Sequence, residues 1–507
     1  MAARVSQERG VQAGRAPRPI AVGIVRLWLV LLTAFAVLAA GAGYWQVAQA
    51  QDLVNRADDP LLVAAARHTA RGKILDRDGT VLASSRTGQN GEPYRVYASR
   101  ALAPMLGYAS SVYGTSGLEQ AFDAALSGVS SADPVDALLA KFRRDRFHPE
   151  DLTLSLSLPL QQAAVRLLGS NRGAVVMLDP RSGEVLVLAS TPTFDASGIA
   201  NPSTARAAFG AAAADPGQPL VDRATQGLYV PGSVFKIVTA VAALGSGAIT
   251  PSTRYAQQPA AETTGLLVSG FRVHDGHHLF TGSEELDFAR AVEVSCNIYF
   301  ALAGLATGGA ELTAWADRLG FGAPIPFDLP TAASQVTGGG GSFGGGFRDD
   351  VELANAAYGQ AETLVTPLQM ALVAATVAND GVLMRPHLVI RRSGAGGVTL
   401  VAPEVWRQVI SPDVAHQIEA AMLQAVEGPD GRQFTAGAAV PGIPVAGKSG
   451  TAQLDGSAQP HSWFIGFAPA AQPQIAIAVI VEQGGDATRA SPIAGQLLAQ
   501  YFALARP

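Results

Sequence analysis

The chain has 507 residues, of which 48% are apolar and 15% are charged, and its formal net charge is −5. This length predicts two or three folded units, and the composition excludes an intrinsically disordered chain because it supplies enough apolar surface for a large core. The acidic balance gives no reason to expect a nucleic-acid partner. Cys296 is the single cysteine, so no disulfide can form within the chain.

The N-terminal residues have the pattern of a membrane anchor. Residues 1–26 are rich in arginine, and the stretch 27–45 is uncharged and carries aromatic residues near both ends. Since basic residues stay on the cytoplasmic side, we expect a cytoplasmic tail (1–26), a single transmembrane anchor in the cell membrane (27–45) and an extracytoplasmic remainder. The alternative is a secretory signal cleaved after Ala48-Gln49-Ala50, which would also export the protein.

Residues 46–151 are predicted to form a small non-catalytic module. Within it, residues 71–83 have the pattern of two short strands joined by an Asp78-Gly79 turn, which is a strong hairpin signal. The charged residues of this hairpin have no obvious catalytic geometry. We therefore interpret it as a salt-bridged support for another domain.

Residues 152–507 are predicted to form an α+β domain. Strand-like segments stand near both ends of this region, at 152–156, 173–190, 462–468 and 475–481. The long middle is helical in character, and a last helix is expected over 493–503. This order predicts an antiparallel sheet that is closed by the two ends of the domain and flanked by helices.

The most informative stretch is residues 229–240, where Pro231-Gly232 leads into an apolar run. A turn that feeds a buried helix would place Ser233 at the helix N-terminus, where free backbone N–H groups and the helix dipole favour a developing oxyanion. Lys236 lies one turn later on the same face, so its amine can act as a base for Ser233 once burial or a second cation has lowered its pKa.

Ser-x-x-Lys alone is more often a solvated helix face than a catalytic pair. Two observations favour the catalytic interpretation. The residues around Ser233 are apolar, whereas a solvated face would be mixed and charged. Lysine is also rare in this chain, which otherwise uses arginine, and arginine cannot act as a base at neutral pH.

A second candidate is Ser295-Cys296-Asn297, within an apolar helical region. Ser295 and Asn297 would diverge within a helix, so they can face one cleft only if the backbone turns between two helices there. In that geometry Ser295 can relay a proton between Lys236 and a leaving amine, and Asn297 can bind a substrate carbonyl. Cys296 is predicted to be a small buried apolar residue.

A third candidate is the stretch 447–452, just before the C-terminal strands. Lys448 supplies a fixed positive charge and the second cation that the Ser-x-x-Lys pair needs. Ser449 and Thr451 can donate hydrogen bonds to a carboxylate, and Gly450 lets a substrate chain lie close to the backbone. A phosphate-binding loop is the competing interpretation, but the Gly-x-x-x-x-Gly-Lys-Ser/Thr pattern is missing.

Together the three motifs form a known signature, in this order along the chain: Ser233-x-x-Lys236, Ser295-x-Asn297 and Lys448-Ser449-Gly450. The sequence resembles a class B penicillin-binding protein, and its short N-terminal module is similar to that of actinobacterial members. The resemblance extends to Gly117-Leu118-Glu119, Gly359-Gln360 and the run 366–370. One departure is Ser449, where threonine is common in the family; the hydroxyl is kept.

The resemblance implies a penicillin-binding transpeptidase fold and peptidoglycan D,D-transpeptidase activity. The substrates would be peptidoglycan stem peptides and the inhibitors β-lactam antibiotics, which would acylate Ser233. The substrate would be held by Asn297, Lys448, Ser449, Gly450 and Thr451. A membrane glycan polymerase is the implied partner, and no cofactor is implied. Two alternatives remain open: a hydrolase of the same fold, either a D,D-carboxypeptidase or a β-lactamase, and a non-catalytic scaffold of the wall-synthesis complex.

Three other features are given ordinary interpretations. The histidines of the run 274–278 lie in a turn-like stretch without a recognisable zinc spacing, so no metal site is expected. His461 is expected to be a hydrogen-bonded strand residue. The glycine-rich run 338–346 is expected to be a surface linker.

Overall fold

The computed structural model describes residues 20–43, 70–88, 91–128, 148–275, 284–339, 344–454, 456, 458–486 and 488–504. Helix α1 (Ile20–Gly43) belongs to one compact unit, and the described residues from 70 to 128 and from 148 onward belong to another. No helix among the described residues combines the length and the apolar character needed to cross a membrane. The anchor over 27–45 overlaps α1 and stays a prediction.

The described helices that follow are α2 (Ala103–Leu106), α3 (Gly117–Ala121), α4 (Asp123–Ser127), α5 (Leu158–Leu168), α6 (Ala196–Ala200), α7 (Ala205–Ala214), α8 (Lys236–Gly245), α9 (Gln258–Thr264), α10 (Phe288–Glu293), α11 (Asn297–Thr307), α12 (Gly309–Arg318), α13 (Asp350–Ala356), α14 (Pro367–Ala378), α15 (Pro412–Glu427) and α16 (Ala490–Leu504).

The described strands are β1 (Ile74–Leu75), β2 (Val81–Thr87), β3 (Pro93–Tyr97), β4 (Ala109–Ser110), β5 (Gly114–Thr115), β6 (Asp151–Leu154), β7 (Gly173–Leu178), β8 (Val185–Thr191), β9 (Leu266–Val268), β10 (Phe271–Val273), β11 (Val382–Met384), β12 (Val389–Gly394), β13 (Gly397–Leu400), β14 (Val405–Gln408), β15 (Ala446–Ala452), β16 (His461–Ala468) and β17 (Ile475–Val481).

The central sheet has five antiparallel strands in the order β15-β16-β17-β7-β8. The N-terminal strands β7 and β8 thus join the C-terminal strands, which confirms the predicted sheet closed by both ends of the domain. β15 forms one edge of this sheet. Its register places Lys448 opposite Ile465 and Thr451 opposite Ser462.

Helices cover both faces of the central sheet, so its strands are apolar runs with every residue of β7 and β17 buried. Successive residues of one strand still point to opposite faces. Val176 packs in the core that contains α8 and α14, whereas its neighbour Val175 packs in the core that contains α5 and α16. The first of these two cores carries the helix that follows Ser233.

A second sheet has six strands in the order β13-β12-β6-β1-β2-β3. The predicted hairpin is confirmed, with Ile74 opposite Ala83. β6, which was expected to begin the second domain, pairs with β1 and β12 instead of entering the central sheet. Strands on both sides of the predicted boundary at 151/152 therefore share one sheet, and the boundary itself stays a prediction.

Ion pairs centred on the buried Glu119 link Arg71, at the start of the hairpin stretch, and Arg95 to α3. Arg71 contacts Glu119 at 2.9 Å and Asp123 at 2.6 Å, and Arg95 contacts Glu119 at 2.5 Å. Glu119 has no exposed surface, so its charge is stabilised by the two guanidinium groups. The expected salt bridges are present, and the role of the hairpin as a support for another domain stays a prediction. In the glycine-rich run, residues 340–343 lie outside the described residues, and Gly344–Gly346 form a 3-10 turn.

Candidate active site

Ser233 lies in a tight turn that leads directly into a buried helix. The turn is a 3-10 helix, Gly232–Phe235, and α8 begins at Lys236. Gly232 has a φ of +57°, and a Cβ atom there would lie 2.6 Å from the carbonyl oxygen of Thr451. Only glycine allows this approach, which brings the backbone of Ser233 next to edge strand β15. Ser233 is partly exposed, whereas both of its neighbours are buried.

Lys236 is fully buried. Its amine donates to the backbone carbonyl of Ser295, to Ser295 Oγ at 3.2 Å and to Asn297 Oδ1 at 2.7 Å. Burial lowers the pKa of Lys236 to about 8, and the negative charge of Asp275 opposes this shift. Among the described residues, the hydrogen bonds of this amine go to Ser295 and Asn297 and not to Ser233, because a buried amine takes the acceptors that its pocket supplies.

Ser295 occupies a turn between two helices, as the sequence required. α10 ends at Glu293, α11 begins at Asn297, and Ser295 has a φ of +61°. This left-handed conformation is uncommon for a residue with a side chain, and it directs both Ser295 Oγ and Asn297 Oδ1 to the amine of Lys236. Asn297 Nδ2 donates to the carbonyl of His274 at 3.3 Å.

Lys448 reaches the same hydroxyl from the edge strand. It is buried, and its amine donates to Ser295 Oγ at 2.9 Å and to the carbonyl of Ser449 at 3.0 Å. Burial and the charge of Lys236 both hold its pKa well below the usual range. The second cation predicted near Lys236 is therefore present, although burial is the main cause of the low Lys236 pKa.

The remaining residues of the third motif line β15. Ser449 is buried, and Thr451 is exposed two residues further along the same strand face. A Cβ atom on Gly450 would lie 3.0 Å from the carbonyl oxygen of Pro231. The strand thus packs closely on the Gly232–Phe235 turn, and its outer edge is not paired with another described strand.

The two lysines and Ser295 form a connected hydrogen-bond network. When Lys236 loses a proton it keeps two N–H groups, which suit the Ser295 carbonyl and Asn297 Oδ1, and its lone pair can then accept from the Ser295 hydroxyl. Lys448 meanwhile donates to Ser295 Oγ. The network is therefore satisfied with Lys236 neutral, which is the form that a base requires.

Cys296 is buried as predicted, but it is also hydrogen-bonded. Its sulfur accepts from the backbone N–H of Tyr299 at 3.2 Å, and its thiol donates to Asp275 Oδ2 at 2.9 Å and faces Glu262 Oε1 at 3.6 Å. Glu262, Asp275 and Cys296 bring potential ligand atoms within 4.8 Å of one another, and these hydrogen bonds account for that closeness. His277 and His278 lie outside the described residues.

His461 is the first residue of β16, where its Nδ1 accepts from the backbone N–H of Gln483 at 3.0 Å. This confirms the interpretation as a hydrogen-bonded strand residue. His461 also lines a cavity of ≈ 330 Å³ beside Tyr229, in which Glu482 is paired with Arg172 and Arg223.

Two residues near the site had no assigned function in the sequence. Gly359 has a φ of +84°, its carbonyl accepts from Gly232 N–H at 2.8 Å, and a Cβ atom there would lie 1.9 Å from the carbonyl oxygen of Gly232. Asp275 contacts the Ser295–Asn297 turn. The Gly359-Gln360 pair was part of the family resemblance. Asp275 lies in the run 274–278, where only the histidines had been considered as candidates.

Family models match most of the described chain. The model of the penicillin binding protein transpeptidase domain matches residues 173–502, and the model of the penicillin binding protein A dimerisation domain matches residues 71–146.

Curated proteins of similar sequence carry names from peptidoglycan synthesis. The peptidoglycan D,D-transpeptidase PbpA of Mycolicibacterium smegmatis is 33% identical over 503 residues, which cover 95% of this chain and 96% of that protein. The peptidoglycan D,D-transpeptidase MrdA of Escherichia coli K12 is 30% identical over 381 residues, which cover 69% of this chain and 57% of that protein.

Solved structures show the same fold. The ceftriaxone acyl-enzyme complex of penicillin-binding protein A from M. tuberculosis has a TM-score of 0.75 and 29% identity, and the match covers 86% of this chain and 99% of that chain. The imipenem acyl-enzyme complex of the same protein has a TM-score of 0.73 and 28% identity, with the same coverage of both chains.

Proposed function

The chain belongs to the penicillin-binding protein transpeptidase family, and on this premise we propose that it is a serine D,D-transpeptidase. It would cross-link peptidoglycan stem peptides through an acyl-enzyme on Ser233 and would be inhibited by β-lactams. The observation that carries the proposal is the convergence of two buried lysines, Lys236 and Lys448, on the Ser295 hydroxyl, at 3.2 and 2.9 Å.

Acylation begins when Ser233 Oγ attacks the carbonyl carbon between the two terminal D-alanines of a stem peptide. Neutral Lys236 takes the hydroxyl proton, either directly or through Ser295, whose Oγ it contacts. As the peptide bond breaks, the proton passes through Ser295 to the leaving amine of D-alanine. Lys448 holds Ser295 Oγ in place for both transfers.

The oxyanion would be stabilised by the backbone N–H groups of Ser233 and Thr451. The close packing of Gly232 on Thr451 supports this pairing, because it places the two segments side by side without intervening side chains. Such donors cost no reorganisation during the reaction when the backbone already holds them in position.

The stem peptide would lie along the open edge of β15, where backbone hydrogen bonds can add it as another strand. Its terminal carboxylate would meet the hydroxyls of Ser449 and Thr451 and the charge of Lys448, with Thr451 the more accessible of the two hydroxyls. Gly450 would support this site by letting β15 pack against the turn that carries Ser233, because a Cβ atom there would lie 3.0 Å from the carbonyl oxygen of Pro231. Asn297 would bind a substrate carbonyl through the second N–H of Nδ2, while the first stays on the carbonyl of His274.

The second half of the reaction transfers the acyl group. The amine of a second stem peptide attacks the ester carbon of the acyl-enzyme and gives up a proton to Lys236, and Ser233 leaves as its hydroxyl. The products are the cross-link and free enzyme. Water in place of the amine would make the protein a D,D-carboxypeptidase or a β-lactamase.

We also propose that the protein is anchored in the cell membrane by residues 27–45, with residues 1–26 in the cytoplasm and a membrane glycan polymerase as partner. The described part of α1 supports this because its large apolar side chains are exposed; Leu29 and Phe35 are 60% and 72% exposed. Residues 46–151 would then be the non-catalytic module, and residues 152–507 the transpeptidase domain.

The test is a time course of labelling by a fluorescent penicillin, with the full-length chain beside its Ser233→Ala variant. We expect a long-lived adduct on the wild type and none on the variant, because removal of a catalytic nucleophile abolishes acylation. Labelling of Ser233→Ala at the wild-type rate would refute the assignment of the nucleophile. Rapid loss of the label from the wild type would indicate a hydrolase, and no labelling at all would indicate a scaffold.

A further inference from the structure

A carboxylate from outside the helices caps the turn that carries Ser295. Asp275 follows β10 and lies at the N-terminus of α11. Its Oδ1 accepts from the backbone N–H of Asn297 at 3.0 Å, and its Oδ2 accepts from the thiol of Cys296 at 2.9 Å and from the backbone N–H of Ile298 at 3.5 Å. A negative charge is stabilising at this end of a helix.

His274, the residue before Asp275, fixes the side chain of Asn297. The carbonyl of His274 accepts from Asn297 Nδ2 at 3.3 Å, so the segment 274–275 holds both the backbone and the amide group of Asn297. With Nδ2 directed there, Asn297 Oδ1 faces the amine of Lys236 at 2.7 Å. The segment 274–275 therefore orients the Asn297 side-chain amide so that its oxygen faces Lys236.

The turn needs such support because its backbone is strained. Ser295 has a φ of +61°, a conformation that persists only where the surrounding structure holds it. Within the helix pair, Cys296 N–H donates to the carbonyl of Ala291 at 3.0 Å. Asp275 adds hydrogen bonds from a separate segment, which fix the turn relative to the rest of the site.

We propose that Asp275 is a positioning residue for acylation: by capping the Ser295–Asn297 turn it keeps Ser295 Oγ and Asn297 Oδ1 on the amine of Lys236. This rests on the proposed function, in which Lys236 and Ser295 move the proton. The described hydrogen bonds of Asp275 reach Cys296, Asn297 and Ile298, so this positioning effect acts through the turn and the start of α11.

The charge of Asp275 has a second consequence that can be measured. It raises the pKa of Lys236, against the larger lowering by burial. Without this charge Lys236 would become neutral at a lower pH. Among the described residues, four other titratable groups act on this cluster: Cys296 just before α11, Glu262 on α9, Lys448 on β15 and Tyr358 next to Gly359.

Two variants separate the effect of the Asp275 hydrogen bonds from the effect of its negative charge. Asp275→Asn loses the charge but keeps an oxygen that can accept from Asn297 N–H, whereas Asp275→Ala loses both. A matched control is Asp328→Asn, since Asp328 also accepts from two backbone N–H groups, those of Leu388 and Val389, at 2.6 and 3.0 Å. All are made in the full-length chain, and rates are normalised to the folded fraction.

The first readout is the acylation rate with a fluorescent penicillin, measured across the pH range around 8. We expect the rising part of the pH–rate profile to move to lower pH in both Asp275 variants. The maximal rate should fall roughly ten- to hundredfold in Asp275→Ala and stay within a few-fold of wild type in Asp275→Asn. The control should show neither change. The proposal would be overturned if the rising part of the pH–rate profile stayed at its wild-type position and Asp275→Ala had the same maximal rate as the control.

The second readout does not depend on acylation. Cys296 is the single cysteine, so a maleimide reports on this one site. Burial, and then Asp275, which accepts from the thiol, raise the pKa of Cys296, and the buried thiol is reached only when the turn opens. Loss of the hydrogen bonds and of the charge should therefore make both Asp275 variants react faster than wild type, and Asp275→Ala should react fastest. If the wild type is never acylated, the proposed function fails, while unchanged thiol reactivity would refute the contact of Asp275 with the turn.

Discussion

Replacing Gly359 by alanine tests whether the Gly232–Phe235 turn, which carries Ser233, depends on backbone contact with its neighbours. A Cβ atom at this position would lie 1.9 Å from the carbonyl oxygen of Gly232, whereas real Cβ contacts lie beyond 3.0 Å. The two backbones must therefore separate by about 1 Å, since neither atom belongs to a flexible side chain that could move aside. The hydrogen bond from Gly232 N–H to the Gly359 carbonyl, 2.8 Å, is lost or lengthened.

The expected effect on the reaction is larger than the effect on the fold. A displacement of the reacting group by about 1 Å costs roughly a hundredfold in rate, so acylation of Gly359→Ala should fall by about that factor. Alanine in the left-handed conformation and the clash together should lower the free energy of unfolding by about 2–4 kcal/mol.

The assay compares acylation rates by a fluorescent penicillin and unfolding by denaturant. Gly247→Ala is the matched control, because Gly247 has a similar φ of +75° but no atom within 4 Å of a Cβ placed there. It should lose stability from the left-handed backbone and keep the wild-type acylation rate. If Gly359→Ala acylates within a few-fold of Gly247→Ala, the contact does not position Ser233 and the reasoning is wrong.

Three further predictions concern other parts of the molecule. The acylation rate should rise as the pH rises through about 8, because Lys236 must lose its proton to act as a base; a pH profile that falls over this range would contradict the role. Ser295→Ala should lower the acylation rate by about 10²–10⁴, measured at saturating β-lactam, since the link between the two lysines is lost. Glu119→Ala should lower the free energy of unfolding by about 3–5 kcal/mol, because it leaves the guanidinium groups of Arg95 and Arg71 without their shared carboxylate. Denaturant unfolding checks this last value, and the folded variant should still be acylated at the wild-type rate.

Much of the site could be predicted because each motif carries its own local chemistry. Pro231-Gly232 before an apolar run predicted the turn that precedes α8, and the spacing of Ser295 and Asn297 required a turn that the structure contains. The apolar surroundings of Lys236 predicted its burial and hence its lowered pKa. The apolar segments at both ends of the domain predicted the strands of the central sheet.

The partners of these residues could not be predicted in the same way. Lys236 was expected to contact Ser233, three residues away, but its amine bonds to Ser295 and Asn297, which are about sixty residues away along the chain. Short-range spacing determines which side chains share a helix face. It does not determine which acceptors another segment brings to a buried amine.

The sequence by itself predicted the strands at the two ends of the second domain, the candidate reactive groups and the burial of Lys236, because periodicity and turn chemistry act over a few residues. Only the tertiary structure decided that Asp275 caps the Ser295 turn, that Gly359 contacts Gly232 and that β6 joins the second sheet. These are contacts between segments far apart in the chain. They depend on how the whole core packs, since that packing sets which backbones approach closely enough to touch.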